Sequence, residues 1–103
     1  MNVVLFNGSP RSNGNTAHLL TRMVDVFSQE NAKTEIIQLG GTLVRGCTAC
    51  MECRKNKDER CVLEDDAVNE YIQKMKGADA IVIGSPVYFS QMTSETKALI
   101  DRC

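Results

Sequence analysis

A polar, glycine-rich segment near the start of the chain combines the residue types that bind an anion. It spans 8–16 and reads Gly-Ser-Pro-Arg-Ser-Asn-Gly-Asn-Thr, between a short apolar run and a helical pattern. A turn that leads from a strand into a helix presents backbone N–H groups to a negative charge, and Arg11 adds a forked cation that suits phosphate. The side-chain donors are Ser9, Ser12, Asn13, Asn15 and Thr16. We interpret the segment as a phosphate-binding loop.

The alternative for this segment is an ordinary turn in which Asn15 or Thr16 serves as the helix N-cap. Its proline and glycines would then serve only the geometry of the turn. The segment is neither GxGxxG nor GxxxxGK[ST], so no common nucleotide motif decides between the two interpretations. The decision depends on the second half of the chain.

A second unusual loop spans 84–91 and reads Gly-Ser-Pro-Val-Tyr-Phe-Ser-Gln. Its flat apolar residues on a rigid turn suit one edge and one face of a ring system, and they are Pro86, Val87, Tyr88 and Phe89. In a doubly wound sheet, ligands bind outside the carboxyl ends of strands, where the strand order reverses. A phosphate loop beside such an apolar surface therefore indicates flavin mononucleotide (FMN). Packing of the two aromatic rings in the core is the alternative.

Four of the five cysteines lie close together in the middle of the chain. Cys47, Cys50 and Cys53 follow the spacing C-x2-C-x2-C, and Cys61 comes after seven further residues. The first three match the start of the bacterial ferredoxin motif, whereas the last gap is wider. Four thiolates from one irregular loop suit a [4Fe–4S] cluster, and four-thiolate zinc or plain thiols are the alternatives. Cys103 lies outside the motif.

Apolar periodicity predicts the elements that position these loops. Strands are expected over 3–6, 33–39 and 78–83, and helices over 15–30, 64–77 and 93–102. The first and third strands are continuous apolar runs, which is typical of strands buried on both faces. His18 falls on the polar face of the first helix, so we assign it no catalytic role. The pattern predicts one α/β domain over 1–103, with a cysteine-rich insert over 42–63.

Composition indicates a globular domain and excludes two classes of partner. The chain has 103 residues, of which 43% are hydrophobic and 24% charged. A formal net charge of −1 leaves no basic surface for nucleic acid or an anionic membrane. The apolar runs are too short for a membrane span or a signal-peptide core. We therefore expect a cytoplasmic protein whose cysteines are thiols or metal ligands.

Both loop motifs together resemble the NAD(P)H-dependent FMN reductase family. They read Gly8-Ser9-Pro10-Arg11 with Gly14-Asn15-Thr16, and Gly84-Ser85-Pro86-Val87-Tyr88 followed by Lys97 and Ile100-Asp101-Arg102. The cysteine loop is similar to that of the iron–sulfur flavoprotein branch of the family. This likeness extends from one end of the chain to the other.

The resemblance implies a flavodoxin-like, three-layer fold with a parallel sheet and an FMN-dependent oxidoreductase. The implied phosphate ligands are Ser9, Arg11, Asn13, Asn15 and Thr16. The implied isoalloxazine contacts are Pro86, Val87, Tyr88 and Phe89, and the implied cluster ligands are Cys47, Cys50, Cys53 and Cys61. Lys97 and Arg102 match the family pattern as structural residues. NAD(P)H or a ferredoxin-like protein is the expected electron donor, and no catalytic acid, base or nucleophile is needed because the flavin carries the chemistry.

The chain departs from the family pattern in the number of its strands. A complete flavodoxin-like sheet has the order 2-1-3-4-5, whereas this sequence supplies three strands in the order 2-1-3. The third strand would then lie on a bare edge that is able to pair with another chain. We expect either a homodimer or higher oligomer that covers this edge, or a chain truncated from a longer protein. A non-catalytic fragment that binds FMN or a metal is the functional alternative.

Overall fold

A three-stranded parallel sheet forms the centre of the fold. The structure is a computed structural model that describes all residues from 1 to 103. The strands are β1 (Asn2–Asn7), β2 (Lys33–Gln38) and β3 (Ala80–Gly84), arranged in the order β2-β1-β3. In the central strand, Phe6 is paired with Ile37 on one side and Ile83 on the other. The predicted α/β class and the order 2-1-3 are confirmed.

Helices cover both faces of the central strand. They are α1 (Asn15–Gln29), α2 (Glu52–Asn56), α3 (Val68–Lys76) and α4 (Ser94–Arg102). Leu20 of α1 packs in one cluster with Leu5, and Val68 and Leu99 pack on the opposite face with Phe6. This alternation of side chains along β1 explains why an uninterrupted apolar run is buried on both faces. None of the four helices combines the length and the apolar composition that a membrane-spanning helix needs.

The third predicted helix begins later than its sequence indicates. The acidic residues at 64–66 predict a helix start there, but α3 begins at Val68 with Ala67 as its N-cap. Asp66 lies just before the helix, where its Oδ1 accepts the Val68 N–H at 3.2 Å. Its other oxygen pairs with Arg102, so a tertiary contact holds this carboxylate outside the helix. The short helix α2 was not predicted, because the cysteine segment shows no apolar periodicity.

The edge strand β3 is covered on one face only. Ala80 and Val82 pack against the α1 cluster, whereas Ile81 and Ile83 are 47% and 41% exposed. The prediction that this run is buried on both faces is therefore wrong, because the cluster under α3 and α4 contains side chains of β1 and β2 but none of β3. Within the chain β3 pairs only with β1, and coverage of its free edge by a second copy stays a prediction.

The turn after β2 packs against the backbone of the turn after β1. A Cβ atom on Gly40 would lie 2.2 Å from the Ser9 carbonyl carbon and 2.5 Å from the Gly8 carbonyl oxygen. Only glycine allows two backbones to approach this closely. The contact supports the proposed phosphate loop from the β2 side.

Replacing Gly40 by Ala should lower the free energy of unfolding by about 1–3 kcal/mol, because the new methyl group overlaps backbone atoms that have no rotamer to change. Equilibrium urea denaturation measures the loss. Gly46→Ala is the matched control, since a Cβ atom there meets nothing within 4 Å, and we expect it to change stability by less than about 0.5 kcal/mol. Equal effects of the two substitutions would contradict the packing described here.

Both basic residues that the family pattern marks on α4 form ion pairs. Lys97 pairs with Asp101 on the surface, whereas Arg102 pairs with Asp66 with both side chains fully buried. Burial by itself would raise the pKa of Asp66, but the hydrogen bonds from Arg102 and from two backbone N–H groups outweigh it and lower that pKa. This geometry agrees with a structural role for both residues.

Asp66→Asn should cost about 3–5 kcal/mol of stability near neutral pH, because it leaves the Arg102 charge buried without its counter-ion. The folded-state pKa of Asp66 lies below its unfolded value of about 4, so the contribution of the pair is present above that pH and is lost as the pH falls further. Urea denaturation between pH 3 and pH 7 should therefore show that the difference in unfolding free energy between the original protein and Asp66→Asn becomes smaller below about pH 4. Asp65→Asn, at an exposed pair with Arg45, should cost about 1 kcal/mol or less. A difference in unfolding free energy that does not change with pH would contradict the Asp66–Arg102 ion pair.

Candidate functional site

The loops that follow β1 and β3 start side by side at the carboxyl edge of the sheet. The Gly8 N–H donates to the Gly84 carbonyl oxygen at 2.7 Å, and the Thr93 hydroxyl donates to the Gly8 carbonyl oxygen at 2.7 Å. Thr93 is also hydrogen-bonded to Thr96 at 2.7 Å, so two buried hydroxyls at the start of α4 support the first turn of the phosphate loop. The structure thus brings the two predicted ligand-binding loops together at one edge.

Two polar residues at strand ends hold the phosphate loop from the side of the sheet. Asn7 Oδ1 accepts the Ser9 N–H at 3.1 Å, and Asn7 Nδ2 donates to the Arg11 carbonyl at 3.3 Å. Gln38 Nε2 donates to the carbonyls of Ser9 and Gly40 at 2.8 and 2.9 Å. Sequence reasoning missed Asn7 and Gln38. A polar residue that closes an apolar strand is a signal that could have identified Asn7, whereas the mostly polar strand β2 gives no such signal for Gln38.

The N-terminus of α1 presents unpaired backbone donors toward this loop. Gly14 is its N-cap, and no side chain caps the helix, so the alternative that Asn15 or Thr16 is the N-cap is not what the structure shows. The His18 N–H donates to the Gly14 carbonyl at 3.0 Å, whereas the amides of residues 15–17 have no protein acceptor. Free amides at the positive end of a helix favour an anion such as phosphate.

Arg11 lies alongside this helix end. Its side-chain carbons come within 3.2 and 3.5 Å of the position that a Cβ atom on Gly14 would take. The guanidinium forms no ion pair or hydrogen bond within the chain, and the residue is exposed. Ser9 differs, because it is buried and its Oγ accepts the Arg11 N–H at 3.1 Å. Of these two predicted phosphate ligands, Arg11 has a guanidinium without a partner in the chain, whereas the Ser9 hydroxyl is used within the turn to accept the Arg11 N–H.

The remaining predicted phosphate ligands have different surroundings. Asn13 Oδ1 lies 3.2 Å from His18 Nε2, and both residues are exposed. The Thr16 methyl carbon lies 3.0 Å from the position that a Cβ atom on Gly84 would take, so Thr16 packs against the end of β3. Asn15 is exposed in the first turn of α1. Thr16 therefore also joins the phosphate loop to the second loop.

The second loop forms a tight hairpin turn with apolar side chains at its tip. The Tyr88 N–H donates to the Gln91 carbonyl at 2.7 Å, and the Gln91 N–H donates back at 3.0 Å. Phe89 and Ser90 have φ angles of +43° and +68°, which residues other than glycine seldom adopt. Phe89 is fully exposed, Val87 is exposed, and Tyr88 is half exposed. The alternative that the rings pack in the core is therefore wrong, and their surfaces are free to contact a ligand or partner.

The four cysteines of the motif share one cavity of about 760 Å³ with Cys103. All five are free thiols, and Cys61 is the least exposed of the motif. No three His, Cys, Asp or Glu side chains converge closely enough to hold a single metal ion. Four cysteine thiolates are the usual donors of a [4Fe–4S] cluster and also of structural zinc, so the residue types present fit either group.

Cys103 is the fifth thiol of this cavity and was not predicted to take part in the site. Its Sγ donates to the Leu99 carbonyl at 2.9 Å. Burial raises the pKa of the Cys103 thiol more than the neighbouring Arg102 charge lowers it. Cys103 lies outside the C-x2-C-x2-C spacing and its sulfur is hydrogen-bonded within α4, so we leave it outside the predicted ligand set.

Known proteins give an independent comparison. The family model for NADPH-dependent FMN reductase matches residues 1–103. An iron-sulfur flavoprotein of Methanocaldococcus jannaschii is 38% identical over 102 residues, covering 99% of this chain and 51% of that protein. An iron-sulfur flavoprotein of Archaeoglobus fulgidus is 37% identical over 102 residues, covering 99% of this chain and 48% of that protein. The chain thus spans about half the length of these relatives.

A solved structure shares the fold. The NAD(P)H:quinone oxidoreductase from Methanothermobacter marburgensis matches with a TM-score of 0.74 and 18% identity, covering 99% of this chain and 52% of that one. Its similarity confirms the flavodoxin-like fold that the loop motifs imply. Since the family model covers the chain from Met1 to Cys103, the chain belongs to the NADPH-dependent FMN reductase family.

Proposed function

We propose that this chain binds FMN and transfers electrons through it, as an oxidoreductase of the iron–sulfur flavoprotein type. The observation that carries the proposal is the hydrogen bond between Gly8 and Gly84, which joins a loop with free anion-binding donors to a loop with exposed apolar groups. FMN has a phosphate at one end and a three-ring heterocycle at the other, so it matches both loops. The family and the names of the relatives support the same cofactor.

The residues of the chain would bind and orient the cofactor, which supplies the redox chemistry when bound. The Arg11 guanidinium and the amides of residues 15–17 would hold the phosphate with charge-assisted hydrogen bonds. Asn7 and Gln38 would keep the loop backbone in place before the ligand arrives. The apolar hairpin tip, 86–89, would pack on the ring and exclude water from it.

Two electron donors fit this proposal. The family description supports NAD(P)H, and a ferredoxin-like protein is the alternative. The second candidate function is FMN binding without turnover. The exposed side chains of Ile81 and Ile83 favour it, because they leave one face of β3 uncovered next to the second loop. Anaerobic oxidation of NAD(P)H by the flavin-loaded protein separates the two. A yellow protein without turnover would support the second.

We further propose that Cys47, Cys50, Cys53 and Cys61 hold a [4Fe–4S] cluster. The shared cavity and the names of the relatives support this ligand set. In the arrangement described here the thiols line the cavity without converging, so the loop has to close when it binds a cluster. Five free thiols are also in keeping with a protein that works in the reducing cytoplasm.

Arg11→Ala should weaken FMN binding by about 1.5–3 kcal/mol, because it removes one charge-assisted hydrogen bond to the phosphate. Quenching of flavin fluorescence on titration measures the dissociation constant. Riboflavin, which has no phosphate, should bind the variant and the original protein equally well. Arg22→Ala, an exposed arginine farther along α1, is the matched control and should leave both affinities unchanged. Unchanged FMN affinity in Arg11→Ala would remove Arg11 from the site.

Cys50→Ala should abolish the visible absorbance of a reconstituted cluster while FMN affinity stays unchanged, because the cysteine loop and the phosphate loop are separate parts of the chain. Anaerobic reconstitution with ferrous iron and sulfide, followed by absorbance spectra, measures both cofactors together. Cys103→Ala is the control and should retain the cluster. Simultaneous loss of flavin and cluster in Cys50→Ala would mean that the loop has a structural role only.

A further inference from the structure

One of the four motif cysteines is held far more firmly than the others. The backbone N–H of Cys61 donates to Asn69 Oδ1 at 2.7 Å, and its carbonyl accepts from Asn69 Nδ2 at 2.8 Å. The Cys61 sulfur accepts from Arg102 Nε at 3.4 Å. Asn69 and Arg102 are themselves buried, so the backbone and the sulfur of this cysteine are both oriented from the protein interior.

Arg102 also binds the chain on both sides of the cysteine motif. Its guanidinium donates to the carbonyl oxygens of Arg45 and Leu63, each at 3.0 Å. Asn69 Nδ2 adds a longer bond to the Leu63 carbonyl at 3.3 Å. The two ends of the loop are therefore tied together next to Cys61 by side chains that belong to α3 and α4.

The segment that carries the other three cysteines has no such support. Hydrogen bonds within 46–58 are local, and none joins this segment to the rest of the chain. Cys47, Cys50 and Cys53 are exposed. Residues 49, 51 and 57 have positive φ angles without being glycine, which is a costly backbone conformation. The three ligands are thus on a segment that is free to move relative to Cys61.

We propose that Cys61 is a preorganised cluster ligand, that Asn69 and Arg102 are its positioning residues, and that segment 46–58 closes onto it when a cluster binds. This inference rests on the proposed [4Fe–4S] cluster. Asn69 holds the backbone of the ligand, and Arg102 directs an N–H toward its sulfur. A hydrogen bond to a ligand sulfur and a nearby positive charge both stabilise the reduced cluster and raise its reduction potential.

Hydrogen–deuterium exchange of the whole chain without a cluster tests the anchoring by itself. The amides of 46–58 should exchange rapidly, whereas the Cys61 amide should be protected. In Asn69→Ala this protection should be lost, and in Asn56→Ala, an exposed asparagine in α2, it should be retained. A Cys61 amide that exchanges as fast as its neighbours in the original protein would overturn the proposal, whether or not a cluster binds.

Anaerobic reconstitution with ferrous iron and sulfide tests the consequence for the cluster. Asn69→Ala should reduce cluster affinity by about 10–100-fold, as loss of an outer ligand contact typically does. Arg102→Lys should shift the reduction potential of the cluster downward in a titration monitored by electron paramagnetic resonance, and Arg22→Lys should leave it unchanged. If Arg102→Lys does not fold, the affinity of Asn69→Ala decides the test.

These outcomes separate the inference from the proposed function. If the original protein takes up no iron, the cluster assignment is wrong, and the exchange experiment still reports on the anchoring of Cys61. If the original protein and Asn69→Ala load equally well, and Arg102→Lys keeps the same potential, the cluster assignment stands and the positioning roles are wrong. The cluster assignment and the positioning roles are both supported if the original protein takes up a cluster, if the bound cluster protects the amides of 46–58 from exchange, and if Arg102→Lys lowers the reduction potential.

Discussion

At the carboxyl edge of the sheet, the Gly8 N–H donates to the Gly84 carbonyl at 2.7 Å, and this contact joins the two loops that are predicted to bind a ligand. A Cβ atom on Gly8 would lie 2.1 Å from Thr96 Oγ1, so the backbone has room for this contact only with glycine at that position. Because β1 and β3 are neighbouring parallel strands, the loop that enters α1 and the loop that enters α4 leave the sheet at the same edge. An anion at the α1 N-terminus is therefore close to the start of the apolar loop.

Helix α4 connects this edge to the cysteine loop. Thr93 and Thr96 at its first turn contact the Gly8 region, and Arg102 at its last turn binds Cys61 and the chain around it. The helix has nine residues, so its two ends are roughly 13 Å apart. One short rigid element thus connects the edge where the two predicted ligand-binding loops meet to the cysteine cavity.

Rigid and loosely held parts alternate around these sites. Asn7 and Asn69 are buried and fully hydrogen-bonded, and each orients the backbone of a loop from behind. Many of the groups proposed to contact ligands, by contrast, lie on exposed segments, at 87–89 and at 46–58, and Cys61 is the exception. Each buried polar residue keeps its hydrogen bonds to the base of a loop, because leaving a polar group unpaired in the interior is costly. The exposed tips make few contacts, so a change in their conformation costs little.

The α/β class, the three strands and the three longer helices were determined by the sequence itself, because apolar runs such as Val3–Phe6 and the turn residues around them are local signals. The tertiary structure alone decided where α3 begins, since Asp66 is paired with Arg102, 36 positions away. It also decided that Ile81 is exposed, because the burial of an edge strand depends on its neighbours and not on its own apolar residues. Asn69 likewise acts through a hydrogen bond with Cys61, eight positions earlier in the sequence. No periodic pattern in the sequence predicts such a contact.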